Sequence, residues 1–547
     1  MATTAAGTGS VRARTVLSVL LVLGALAGSA VLIVQGADRK DSIEHDEGIS
    51  FIHAAVRMAD WVRITADHSA PVGTWTPATA WQWFWQPADP FGFAAISQSL
   101  SAWDIHPPLY FWLLHVWGLV FGLTAASSIW LNVVLSVLTG LALFGLARWA
   151  FGDPIFAALT VCVWALAAPT VGVSLVARQY GLLALVSVLT VWAALAWFAR
   201  SRRPGIAAML GLGVLIGAGL LTYYQFALLV AGLMLWLTVA CWGRWRQLVT
   251  LYGSGLVGIA ILFLGHPGFW NSLSVLGDLA SMGDLELGVR VKRATDAIAG
   301  LVNPGVGTRL AAASTGVQLW TLVAAAVAMV LILAVGGWPR RVNGRDGESP
   351  ATPPFAIGLL GVWSLALVVG LYLSGRSPSH AMGDRYLAMS LPLLAFLPML
   401  LFRPGGFLRR GNRAVAAVVV LALCGASVYS QVRTDLSPNP TQSAGSILAG
   451  AHHVVIDSLA RGVVPRVLLD APANLEVYAD TGSRLLADPS VWADRLQPGD
   501  VVVSDPTYAE SQDARVQLRK ELEKRFTITR LAAPAPMSWW RIDAVRS

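Results

Sequence analysis

The sequence predicts a polytopic α-helical membrane protein that ends in a small α/β segment, and three observations carry that prediction. The 547-residue chain is 55% hydrophobic and only 13% charged, about half the roughly 25% charge of an ordinary soluble protein, and its mean hydropathy is +0.61. Apolar runs of about 20 residues, the length that crosses a bilayer as a helix, recur along most of the chain. After residue 432 that pattern gives way to short β-branched runs and a charged helical stretch.

The elements follow in order. The first apolar run, 15–36, comes after Arg12 and Arg14. It is longer than the roughly 7–15 residues of a signal-peptide core, and no small-residue cleavage site follows it, so it reads as a retained span. Further spans are expected at 127–149, 154–174, 179–199, 206–224, 226–243, 247–265, 316–337, 355–375, 385–402 and 413–431. The segment 106–123, "HPPLYFWLLHVWGLVFGL", is apolar but short, opens on two prolines and carries His115. Loop charge decides how to count it. If it lies along the surface, Arg148, the Arg200–Arg202–Arg203 group, Arg244 and Arg246, Arg340, Arg341 and Arg345, and the Arg403–Arg413 cluster all share the side of the N-terminus, as the positive-inside rule requires. If it crosses, all of them flip. The surface reading gives about 11 spans in a plasma (inner) membrane, with the N-terminus cytoplasmic and the C-terminus extracytoplasmic. The outer loops are then 37–126 and 266–315, joined on that face by the loop near Arg178, the loop 376–384 and the tail.

Two domains are expected: a membrane domain, 1–432, and a soluble α/β domain, 433–547. In the tail, "RVLLD" (466–470), "DVVVSD" (500–505) and "FTITRL" (526–531) read as strands, and 513–525 reads as a helix. No glycine-rich phosphate loop accompanies them, so a docking or acceptor-recognition module is expected. The net charge of +8 sits mainly in short loops, where it sets orientation and is no signal of nucleic-acid binding. Cys162, Cys241 and Cys424 all lie within apolar runs, which fits packing residues and neither disulfides nor a metal site.

Four polar clusters are candidates for chemistry. "DSIEHDEGIS" (41–50) sets Asp46 beside Glu47, next to His45, just past the first span. A solvated turn is one reading. A functional pair at the membrane boundary is the other, with mutual repulsion raising one pKa toward general-base range. His106 precedes Pro107-Pro108, which fix the backbone ahead of a helix; a helix-start signal without chemistry is the competing reading. "ARQYGLL" (177–183) puts Arg178 and Tyr180 at the outer end of a span, where arginine is disfavoured unless it snorkels or binds an anion. "GRSPSHAMGDRYLAMSLP" (375–392) adds Arg376, His380, Asp384, Arg385 and Tyr386 on the same rim; an Asp384–Arg385 ion pair is the alternative there. The aromatic stretch 74–93 reads as an interfacial anchor more readily than as a sugar platform.

"HDEGIS", "HPPLYF", "ARQYGLL" and "GDRYLAMSLP", at these spacings, resemble the GT-C superfamily of polytopic glycosyltransferases. The similarity covers about the first 400 residues and is nearest the branch of protein O-mannosyltransferases and lipid A aminoarabinose transferases. The resemblance implies a GT-C-like fold and a glycosyltransferase. It would move a sugar from a polyprenyl-phosphate donor to a cell-envelope acceptor (a glycan, lipid or protein) on the outer face, with inversion. Asp46 then matches the base and Glu47 the second acid of the pair, while His106, Arg178, Tyr180, Arg385 and Tyr386 match positions expected near the donor phosphate. His45, His380 and Asp384 are further candidates. Mannosyltransferase-type relatives carry a β-trefoil domain that this chain lacks, which weakens a protein acceptor. Partners would be the donor, the acceptor and membrane lipids. His45, Asp46 and Glu47 leave a divalent ion open, but adjacent residues form no recognised ligand spacing, so no cofactor or metal is expected to be required. The rival reading is a transporter or flippase of lipid-linked sugars. It is disfavoured by the absence of an internal repeat and the scarcity of ionisable residues deep in the spans. A catalytically silent assembly partner is a third reading.

Overall fold

The computed structural model describes residues 5–199, 205–281, 285–337, 353–375, 383–402, 412–436, 441–505, 512–534 and 536–546. Among these, seven helices are long and apolar enough to cross a membrane: Arg12–Asp38, Ala125–Phe151, Tyr180–Phe198, Trp245–Gly265, Thr315–Val335, Pro353–Leu373 and Arg413–Arg433. The protein is thus a multi-pass membrane protein. The expected span at 154–174 is present as two pieces, Pro154–Ala165 and Ala168–Ser174, bent by 59°; counted as one, it makes eight. Pro169 in the second piece cannot continue the ladder of the first. The carbonyl freed at the break, Leu166 O, accepts from Ser427 Oγ at 2.9 Å and Gln431 Nε2 at 3.2 Å. Ile206–Thr222 and Phe226–Ala240 are shorter apolar helices. The expected span at 385–402 is a 3-10 turn followed by Leu391–Leu394 and Phe396–Phe402. Leu109–Phe121 has 13 residues, about 20 Å against the roughly 30 Å of a hydrocarbon core, so by length it does not cross.

The long helix α1 (Ala5–Asp38) is followed by α2 (His45–Ala54), whose start is a capping box: the Glu44 backbone N–H donates to Glu47 Oε2 at 2.6 Å. The acidic pair therefore opens a helix and is not a solvated turn. Carboxylates suit that position because the first-turn N–H groups are unsatisfied and the helix dipole is positive there. The aromatic stretch also departs from expectation. Trp81, Phe84 and Trp85 are buried in protein, while Trp83 and Phe91 stay exposed, Trp83 beneath the Arg57 guanidinium at 3.6 Å. The buried rings pack on Trp61, which meets Trp81 at 5.9 Å and Phe84 at 5.1 Å between centroids.

The sheet has six strands in the order β1-β3-β2-β4-β6-β5. They are β1 (Thr76–Pro77), β2 (His453–Ile456), β3 (Glu476–Ala479), β4 (Val501–Ser504), β5 (Phe526–Arg530) and β6 (Ser538–Val545). β3, β2 and β4 run parallel, and β1, β6 and β5 are antiparallel to their neighbours. β4, β5 and the helix Gln512–Arg525 lie where the sequence predicted them. "RVLLD" does not: Val464–Leu468 is a short helix with Pro465 in its first turn, a position Pro favours. The strands β2, β3 and β6 were missed. β1 comes from the long segment between α1 and Ala125–Phe151, so that segment is stitched to the tail. Ala78 N donates to Leu475 O at 2.8 Å, Gly73 N to Ala479 O at 3.0 Å, Gln82 Nε2 to Ala471 O at 2.9 Å, and Arg466 Nε to Ile43 O at 2.9 Å. Gly48 and Gly462 make the closest approach. A Cβ on Gly462 would stand 2.1 Å from His45 Nδ1, and one on Gly48 3.1 Å from Pro465 Cβ.

Candidate active site

The site grows from α2 and from the turn 175–179 that joins the bent helix pair to Tyr180–Ala194. Three groups hold that turn. Asn132, buried in the helix Ala125–Phe151, donates to Ser174 O at 2.9 Å and Val176 O at 2.8 Å. Lys40 Nζ donates to Leu175 O at 2.7 Å, and Ala177 N donates to Glu47 Oε1 at 2.8 Å. Glu47 is 1% exposed and also takes Lys40 Nζ on Oε2 at 2.6 Å. Both its oxygens are therefore engaged in shaping backbone.

Asp46, one residue earlier, points elsewhere. Its Oδ1 lies 3.6 Å from Arg178 Nη2 and its Oδ2 3.3 Å from Arg385 Nη1. Arg178, 2% exposed, also donates from Nη1 to Ser50 Oγ at 3.2 Å, and lies over the Phe111 ring at 5.9 Å. Arg385, 30% exposed, reaches Glu44 Oε2 at 3.5 Å and lies 5.9 Å over the Tyr386 ring. Arg178, above all, holds the Asp46 carboxyl below its ordinary value; burial opposes it, and His106 and Arg385 add to it. The expected rise in pKa from carboxylate repulsion is therefore not found at Asp46, because the two carboxylates face different partners. His45 is half-buried beside Gly462 of the tail, and the burial it has lowers its imidazole to about 4.

His106 meets a residue the sequence reading passed over. Its Nδ1 bonds Asp104 Oδ1 at 2.7 Å, and its ring stacks on Tyr223 with centroids 6.5 Å apart. Tyr180, buried, packs edge-on to Tyr223 at 6.4 Å. Burial would raise the Asp104 carboxyl; His106, Arg178 and His53 outweigh it and hold Asp104 well below the carboxylate range. His53, fully buried, bonds Ser99 Oγ through Nδ1 at 2.8 Å, and burial lowers it to about 3. Arg461, from the loop after β2, is half-buried and bears on His53; among the described residues it makes no hydrogen bond or ion pair. The "WDIHPP" spacing was the available signal for Asp104; nothing local marked His53 or Arg461.

Asp46, His106, Arg178, Tyr180, Arg385 and Tyr386 are thus gathered in one cluster. His380 and Arg376 lie outside the described residues, as does the side chain of Asp384. Among the described residues no three His, Cys, Asp or Glu side chains converge to hold a metal ion.

A multi-pass membrane protein with a carboxylate between two arginines at one end of its helix bundle is the class that fold and site define. Residues 105–267 match the family model described as dolichyl-phosphate-mannose-protein mannosyltransferase, and the GT-C resemblance read from the motifs is borne out. That segment holds His106, Arg178, Tyr180 and Tyr223. Two solved structures of ArnT from Cupriavidus metallidurans, in the apo state and bound to undecaprenyl phosphate, are similar at 14% identity. They cover 98% and 96% of this chain and 98% of each of theirs, with TM-scores of 0.39 and 0.35. No curated protein sequence matches.

Proposed function

We propose that the protein is a glycosyltransferase of the cell envelope that takes a sugar from a polyprenyl-phosphate donor on the extracytoplasmic face of a plasma (inner) membrane. The N-terminus is then cytoplasmic, and the tail, 433–547, is an extracytoplasmic domain beside the membrane domain, 1–432. One observation carries the reading: Asp46 stands between Arg178 and Arg385, guanidinium groups from segments far apart in sequence. Guanidinium forks match phosphate geometry and neutralise charge that grows on a leaving phosphate. Asp46 is assigned as the base. The acceptor hydroxyl loses its proton to the carboxylate as its oxygen bonds the anomeric carbon. The bond from that carbon to the phosphate oxygen breaks, its electron pair leaves with the phosphate, and the configuration inverts.

His106, Tyr180 and Tyr386 line the phosphate position. Glu47 is a positioning residue that holds the Arg178 turn, and no step requires a metal. The match to a mannosyltransferase family over 105–267 supports this assignment, as does the cluster's place at a helix-bundle end. The acceptor is a glycan, lipid or protein of the envelope. The test is turnover of purified protein on a panel of polyprenyl-phosphate sugars, wild type against Asp46→Asn. Transfer by the wild type and its loss in the variant are expected; a variant that turns over normally refutes Asp46 as base.

A further inference from the structure

Beyond the phosphate position, the polar cluster continues inward. Asp104 Oδ1 accepts from Ile105 N at 2.6 Å and meets His106. Its Oδ2 is buried and makes no hydrogen bond; the nearest partner, His53 Nε2, lies 3.8 Å away and is itself buried and unmet. Burial pushes the Tyr224 phenol up; the nearby Ser272 hydroxyl draws it down and the Asp104 charge adds to the rise, and its buried hydroxyl meets no partner in full hydrogen-bond geometry. His266 stacks on Tyr224 with centroids 6.3 Å apart. It bonds Ser272 Oγ through Nε2 at 3.1 Å, while its Nδ1 is buried and unmet. Native structures leave few such groups unsatisfied, and each costs free energy to bury. Four of them, linked in a run from His53 through Asp104 and Tyr224 to His266, call for a ligand that is polar on several edges.

We propose that Asp104, His53, Tyr224 and His266 form the subsite for the transferred glycosyl group, and that this group is a hydroxylated ring without negative charge. The proposal rests on the donor reading above. Arg178 bears on both Asp46 and Asp104, so a phosphate held on Arg178 brings the sugar beside Asp104. A ring hydroxyl donates to Asp104 Oδ2. Tyr224 donates to another ring oxygen, and the imidazoles, held neutral by burial, donate or accept as the ring requires. A uronic acid is excluded, since its carboxylate would be set against the Asp104 charge without water between them.

The test uses the full chain in detergent and three probes: a short-chain polyprenyl phosphate, its mannosyl ester and its glucuronosyl ester. Wild type is expected to bind the mannosyl ester more tightly than the bare phosphate, and the glucuronosyl ester no more tightly. Asp104→Asn should cut the advantage of the mannosyl ester by about 10-fold and Tyr224→Phe by about 2–10-fold, the worth of one hydrogen bond. Tyr224→Phe should leave affinity for the bare phosphate unchanged, and Asp104→Asn, which removes a negative charge beside His106 and Arg178, should not weaken it. Tyr224→Phe removes one oxygen and keeps the test usable if Asp104→Asn fails to fold. Equal losses on both probes, no loss on either, or tight binding of the glucuronosyl ester would overturn the subsite. Failure of the wild type to bind even the bare phosphate would instead overturn the donor reading.

Discussion

The two sides of α2 carry neighbouring carboxylates with opposite fates. On one side Glu47 is buried, and both its oxygens are spent on Lys40 and on backbone N–H groups at Glu44 and Ala177. On the other, Asp46 is 35% exposed and, among the described residues, its carboxylate meets two guanidinium groups, at 3.6 and 3.3 Å. Successive side chains on a helix diverge by about 100°, so adjacency in sequence gives neither shared partners nor shared chemistry. The pair separates structure from reactivity: Glu47 sets the turn that carries Arg178, and Asp46 uses the field that Arg178 makes.

The sharpest way to break this comparison is to exchange the expected effects. Asp46→Asn should lower transfer by about 10²–10⁴-fold, the usual worth of a positioned base; melting should also fall, because the buried Arg178 loses a counter-charge, but the specific activity of the folded protein should stay low. A variant that melts early and keeps its specific activity would put Asp46 on the structural side instead.

Glu47→Ala should act on stability alone. It leaves Lys40 and the Ala177 N–H without their acceptor, a loss of roughly 3 kcal/mol, the low end for breaking a buried pair from one side, because Lys40 keeps 21% of its side chain in water. Melting should fall by several degrees, and residual activity should track the folded fraction. Unchanged melting with activity lost would make Glu47 a second catalytic acid.

How much of this was legible follows from the same geometry. Seven of the expected spans, or eight with the bent pair, could be read because hydrophobic runs are local signals, and short motifs marked Asp46, Arg178 and Arg385. The tail misled in "RVLLD", where a β-branched, leucine-rich run is helical because Pro465 opens it and its apolar side packs toward α2. β2 and β3 were passed over, and β1 was hidden because Thr76–Pro77 becomes a strand only by pairing with Val477 and Glu476. Asp104 and His53 acquire meaning only when the Leu109–Phe121 helix and α2 come together, which no window of sequence contains.

Acid should sharpen the comparison further. Burial holds His45 at about 4 and His53 at about 3, against an ordinary 6.5. Between those values the unfolded chain binds more protons than the folded one, so stability falls as pH drops below about 6.5, by up to about 1.4 kcal/mol per unit for each histidine. Asp46 acts in the other direction and lower down: its depressed pKa stabilises the fold above its ordinary 3.8 and is lost only below that value. Melting temperatures of wild type between pH 7 and 5 should therefore decline, and His53→Gln should decline less. Parallel slopes for the two proteins would mean that His53 takes up its proton without cost.

The smallest expected effect tests whether the tail takes part in the site. Arg461 has no hydrogen bond or ion pair to lose among the described residues, so Arg461→Ala should leave melting within about 0.5 kcal/mol of wild type. Its charge bears on His53, beside Asp104 and beyond the Asp46 clamp. A half-buried cation there attracts an anionic donor, and removing it should weaken donor binding about 2–5-fold, more at low salt than at high. A salt-independent change would assign Arg461 a packing role. No change at all would confine the reacting surface to α2 and the helix bundle, leaving the sheet as a scaffold that holds α2 through Gly48, Gly462 and Arg466.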